Sequence, residues 1–159
     1  METATFGAGC FWGVESAFRE LPGVSDATVG YMGGHQRQPT YGDVCTGTMG
    51  HAEVCQVTFD SAQVSYEKLV EYFFQLHDPT QHNRQGPDHG TQYRSVIFYH
   101  TAAQEQTARA VRDRLAQSGK FRRPLATELA PAGEFWRAEE YHQRYFEKHG
   151  LPSCHVVGE

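Results

Sequence analysis

The clearest alternation along the chain is HAEVCQVTFD. Glu53, Cys55, Val57 and Phe59 fall on one face of a strand there, and Ala52, Val54, Gln56 and Thr58 on the other. Helical spacing dominates elsewhere. FWGVESAFREL places Phe11, Val14, Phe18 and Leu21 on one side of a helix that Pro22 and Gly23 end. SYEKLVEYFFQLHD turns Leu69, Phe73 and Leu76 inward, with Val70 and Phe74 widening the stripe. TAAQEQTARAVRDRLAQSG predicts a third helix, opened by Thr101 and Gln104 as a capping box. A fourth is expected from Ala138 to His149. Further strands are expected from Thr3 to Gly7, from Val24 to Tyr31, in YRSVIFYH, and from Ala126 to Ala130.

Two long stretches, GGHQRQPTYGDVCTGTMG and PTQHNRQGPDHGTQ, follow neither period. Loops of that length in a compact domain are usually functional or disordered. The first six elements run β-α-β-β-α-β, the ferredoxin-like order, with helices on one face of an antiparallel sheet. The expectation is one α+β domain over residues 1–159: a two-layer sandwich with that core and an α-β-α extension. Residues 150–159 would be a mobile tail carrying Cys154.

Composition narrows the function classes. The 159 residues are 39% hydrophobic and 13% aromatic, enough for a real core, and the net charge is -5. That balance argues against nucleic acid or an anionic membrane as partner. The cluster of Arg109, Arg112, Arg114, Arg122 and Arg123 reads as a solvated helix face and its exit loop. The opening METATFGAG lacks the features of a signal peptide, and no apolar run is long enough to span a bilayer. The four cysteines, Cys10, Cys45, Cys55 and Cys154, form no CxxC pair. Reduced thiols in the cytoplasm are therefore expected, and nothing demands more than a monomer.

Cys10 lies where a strand ends and a helix begins. Unpaired amides and the helix dipole favour an anion there, and so a reactive thiolate. A free cysteine is otherwise a small buried hydrophobe. Phe11 and Trp12 follow it, either as core residues or as walls of an apolar pocket. Glu53 heads the core-facing side of its strand, where desolvation would keep it protonated and able to act as a general acid. A strand-end glutamate turned to solvent is the plainer reading. Cys55, about 7 Å further along the strand, reads as a core thiol. Cys154 is either an incidental surface thiol or a mobile resolving one. The nine histidines match no zinc spacing, so no metal is expected. A thiol hydrolase or acyl transferase built on Cys10 is the alternative enzyme. A non-catalytic module whose pocket binds a small ligand or a metal is a third reading.

Four blocks in order, GCFWGVE, YGDVCTGTMGHAEV, HDPTQHNRQGPDHGTQYRS and AEEYHQRYF, resemble the A-type peptide methionine sulfoxide reductases. The resemblance implies Cys10 as nucleophile and Phe11 and Trp12 as the seat for the substrate's S-methyl group. It implies Glu53 as the acid toward the sulfoxide oxygen and Tyr41 and Tyr93 as donors to that oxygen. Asp88 would help to hold the site. It further implies the S epimer as substrate, free or protein-bound, and a sulfenic acid on Cys10. Cys154 would resolve it as a disulfide, with thioredoxin as reductant and no cofactor. Relatives often carry two recycling cysteines in the tail, whereas this tail holds Cys154 alone, so a single Cys10–Cys154 disulfide replaces a relay. Met49 stands where threonine is frequent. Cys45 belongs to the second block and is read as packing, with recycling as its other possible use.

Overall fold

The computed structural model describes residues 1–9, 11–33, 51–81, 83–85, 88–121 and 123–143, with backbone alone at Arg84, Asp88, His89, Thr91 and Tyr141. The strands are β1 (Glu2–Ala8), β2 (Val24–Met32), β3 (Ala52–Phe59), β4 (Arg84–Gln85), β5 (Asp88–His89), β6 (Ser95–Tyr99), β7 (Glu128–Pro131) and β8 (Trp136–Arg137). The helices are α1 (Phe11–Arg19), α2 (Tyr66–Leu76) and α3 (Ala102–Gln117). Six strands form one sheet in the order β7-β6-β1-β3-β2-β8, and β4 pairs with β5 in a separate hairpin. The inner four strands, β6-β1-β3-β2, with α1 and α2 form the split β-α-β-β-α-β core that the sequence predicts.

The apolar stripes meet on one face. Phe6 of β1 stacks on Phe18 of α1 at 5.1 Å and on Phe73 of α2 at 5.3 Å between ring centroids. Val14, Phe18, Leu69, Phe73, Leu76 and Val111 belong to the same buried cluster, together with Cys55, Val57 and Phe59 of β3. Burying each such aromatic contributes about 1.5–3 kcal/mol. The opposite face is buried at one end, where Ala130, Ala132 and Phe135 cover Met32, Ala52, Val54, Val96 and Phe98. Gly30 permits that cover: a Cβ there would stand 2.4 Å from the Trp136 carbonyl oxygen and 2.6 Å from the Phe135 ring.

The core strands pair antiparallel, as expected, and β7 of the extension joins β6 in parallel. Two expectations are corrected. The helix expected from Ala138 is absent through Gln143. Trp136 and Arg137 pair with β2, and Glu140–His142 form a short 3-10 turn. The Gln143 carboxamide completes that pairing as a side-chain substitute for a strand. Its Oε1 accepts from Val29 N–H at 2.9 Å, and its Nε2 donates to the Val29 and Ala138 carbonyls, each at 2.9 Å. The second correction concerns α3. Thr101 caps it by accepting from Gln104 N–H at 3.1 Å, but Gln104 answers elsewhere. Its Oε1 accepts from His100 N–H at 2.9 Å, and its Nε2 donates to the Thr3 carbonyl at 2.8 Å. The tail expected at 150–159 lies outside the described residues. Among the described residues no helix is long and apolar enough to cross a membrane.

Candidate active site

The strand-to-helix joint fixes the site. Gly9 adopts φ +92°, a left-handed conformation that side chains disfavour, and α1 begins at Phe11. In sequence, residue 10 stands between Gly9 and the first residue of α1. Cys10 itself lies outside the described residues, as do Tyr41, Cys45, Met49 and Cys154.

Glu53 reaches the same joint from β3. It faces Tyr31 of β2 in register, and it is 1% exposed. Its Oε1 accepts from Phe11 N–H at 3.3 Å. The carboxyl is thus tied to the amide of the residue that follows Cys10. Burial favours its neutral form, and the first-turn amide favours its anion. A carboxyl under both influences can give up and regain a proton at one place.

Phe11 is buried beneath this carboxyl's helix turn. Its ring lies 6.5 Å from Trp12, 5.8 Å from Tyr31 and 5.1 Å from His142, all tilted contacts. Trp12 is half-buried and donates from Nε1 to His142 Nδ1 at 3.0 Å. An indole N–H only donates, so His142 Nδ1 is the bare acceptor and the neutral ring carries its proton on Nε2. Burial pushes this imidazole below its ordinary value, against the pull of the Glu139 carboxylate. Glu139 in turn accepts from the Tyr31 hydroxyl at 3.2 Å. Glu53 thus meets the Phe11 amide, and the Phe11 ring meets the Trp12 ring.

Tyr93 closes the 3-10 turn Thr91–Tyr93, whose backbone packs against β3, and its amide donates to Gly90 O at 3.0 Å. Asp88 pairs with Gln85 in the β4–β5 hairpin, and its side chain lies outside the described residues. Cys55 is fully buried between Phe6 and Val29 on neighbouring strands. Burial above all, and then the Glu15 carboxylate, push its thiol well above the ordinary value, with Arg19 opposing. That thiol is core packing, as its strand position suggests.

His142, Tyr31 and Glu139 are site neighbours that sequence reasoning did not single out. His142 sits inside the block AEEYHQRYF, but its partner Trp12 is 130 residues away. No local periodicity carries that signal. Glu15 is another: buried one turn beyond Phe11, it pairs with Arg19 at 3.6 Å, while Arg19 reaches Asp26 at 3.0 Å and the Ala27 carbonyl. This chain pins α1, and with it the helix mouth, to β2.

Residues 2–159 match the family described as peptide methionine sulfoxide reductase. A peptide methionine sulfoxide reductase MsrA from Methanoculleus marisnigri is 62% identical over 157 residues, covering 99% of this chain and 96% of the relative. Mxr1 from Saccharomyces cerevisiae in reduced form superposes with a TM-score of 0.92 at 34% identity, over 99% of this chain and 92% of that one. Mxr1 in complex with Trx2 matches with a TM-score of 0.67 at 24% identity, over 99% and 90% of the two chains, and bears on the fold alone.

Proposed function

The chain belongs to the peptide methionine sulfoxide reductase family, and we propose that it reduces methionine S-sulfoxide through an attack by Cys10. Thiol-dependent methionine sulfoxide reduction is the activity; a Cys10 hydrolase is not favoured. What supports the assignment of the residues is the Glu53 hydrogen bond to Phe11 N–H at 3.3 Å, which anchors an acid beside the helix mouth.

The Cys10 thiolate attacks the sulfoxide sulfur, and Glu53 protonates the oxygen as negative charge develops on it. Hydroxyls of Tyr41 and Tyr93 donate to the same oxygen, Phe11 and Trp12 seat the methyl group, and Asp88 helps to hold the site. The oxygen then passes from the methionine sulfur to the Cys10 sulfur as the transient sulfur–sulfur bond breaks, so that methionine departs reduced and Cys10 is left as a sulfenic acid. Cys154 condenses with it to give a disulfide and water. A thioredoxin-like dithiol then returns both thiols by exchange; the family's Mxr1 has been seen with Trx2. No cofactor takes part in this cycle. A cytoplasmic monomer suits a nucleophile that must start reduced.

Loss of the resolving thiol tests the cycle. Cys154→Ser is expected to release about one methionine per enzyme, leave Cys10 as a sulfenic acid, and lose thioredoxin-coupled turnover. Mass spectrometry after one turnover without reductant reads the species directly. Full turnover in this variant moves recycling to Cys45, because Cys55 is fully buried.

The Trp12–His142 bond carries a second prediction. His142→Phe keeps a ring and removes the acceptor, so KM for the sulfoxide should rise roughly 2–10-fold, the worth of about 0.5–1.5 kcal/mol for one hydrogen bond, with less change in kcat. The folded imidazole titrates below its ordinary value. The unfolded chain therefore takes the proton first, and stability falls as pH drops below about 6.5. Thermal melts between about pH 5 and 7 should show that loss in the wild type and less of it in the variant. Equal melts and an unchanged KM would detach His142 from the Trp12 seat.

A further inference from the structure

Gln85 belongs to no block role assigned above, yet it joins two segments at the nucleophile's doorstep. Its head is fixed at two points on one residue. Oε1 accepts from Asp78 N–H at 2.9 Å, and Nε2 donates to the Asp78 carbonyl at 3.0 Å. Both ends of the carboxamide are therefore used, and the side chain cannot swing without breaking two hydrogen bonds. Its stem then lies flat against Gly9. A Cβ built on Gly9 would stand 2.8 Å from both Cβ and Cγ of Gln85, closer than real side chains pack. Gly9 is the residue immediately before Cys10, held at φ +92°. Only glycine accommodates both the conformation and the contact.

We propose that Gln85 is a positioning residue for Cys10. Anchored to Asp78, its stem forms a fixed outer wall for the Gly9 turn, and the turn sets where residue 10 enters the start of α1. The proposal rests on the reading of Cys10 as nucleophile. Geometry of this kind has a large effect, since a misplacement of about 1 Å at the reacting atom can cost about 100-fold in rate. Glutamate is no substitute: it would keep the acceptor toward Asp78 N–H but face the Asp78 carbonyl with a second acceptor.

The test uses full-length Gln85→Ala, Gln85→Met and Gln85→Glu. Single-turnover methionine formation, the melting temperature, and the pH profile of Cys10 alkylation by iodoacetamide are measured, the modified peptide being identified by mass. Gln85→Ala should slow single turnover roughly 10–100-fold with its folded fraction unchanged. The midpoint of Cys10 alkylation should move to higher pH as the thiol drifts from the helix mouth. Gln85→Met keeps the stem and loses the head, so it should fall between Ala and wild type and serves where Ala folds poorly. Gln85→Glu should track Ala. Wild-type rates and alkylation in Gln85→Met and Gln85→Ala overturn the proposal. So does a rate loss that merely follows the folded fraction, or one with the alkylation profile intact. Failure of the underlying reading is separate: it would appear as methionine formation by Cys10→Ser.

Discussion

A Cys10→Ser variant is expected to fold, to bind methionine sulfoxide and to reduce none of it. Serine is nearly the size of cysteine, and at the start of a helix its hydroxyl can accept from the first-turn amides. The melting temperature should therefore stay level or rise slightly. Reduction needs a soft, ionised nucleophile on sulfur, and an alcohol at neutral pH is neither. Methionine formation should drop below detection in a single-turnover assay at excess enzyme, while binding of the sulfoxide, followed by calorimetry or NMR, persists. Measurable methionine from this variant would move the nucleophile to another thiol.

Glu53→Gln is the second large effect. Glutamine has the shape of the carboxyl it replaces and can still accept from Phe11 N–H, the contact that wild-type Oε1 makes at 3.3 Å. The replacement carries no ionisable proton. Single-turnover reduction should slow by about 10²–10⁴-fold, the usual contribution of a positioned general acid. The variant should be no less stable, because the amide is neutral, like the protonated carboxyl that it replaces at a 1% exposed site. The pH dependence gives the sign. An acid must be protonated to act, so the wild-type rate is lost as pH rises through its pKa, and the variant should lack that limb. Equal single-turnover rates at all pH values would place the proton source elsewhere.

The sequence was informative where structure is local. Strict alternation in β3 told that Glu53 shares a face with Cys55, Val57 and Phe59, and burial of all four follows it. Leu69, Val70, Phe73, Phe74 and Leu76 of α2 are buried as their spacing requires. Periodicity fails where a distant group intervenes. Residues 138–143 look helical by themselves, yet Val29 offers both backbone groups to Gln143, and that pairing wins over local preference. The parallel direction of β7 follows from α3 between it and β6, a strand–helix–strand crossover. His142 is invisible to local pattern, since its use depends on Trp12. The expected roles of Tyr41 and Cys154 came from motif resemblance, and their positions lie outside the described residues.

The burial of Cys55 has an experimental consequence. A reagent that consumes accessible thiols within seconds will pass over it, so a titre on folded protein omits one of the chain's four thiols. To be tagged, Cys55 must wait until β1 and β2 part from β3. Its tagging rate in the absence of denaturant is then the opening equilibrium multiplied by the intrinsic rate of a free thiol. The chain thus carries its own stopwatch for rare excursions of the central sheet, readable by mass in folded protein whose accessible thiols are already consumed.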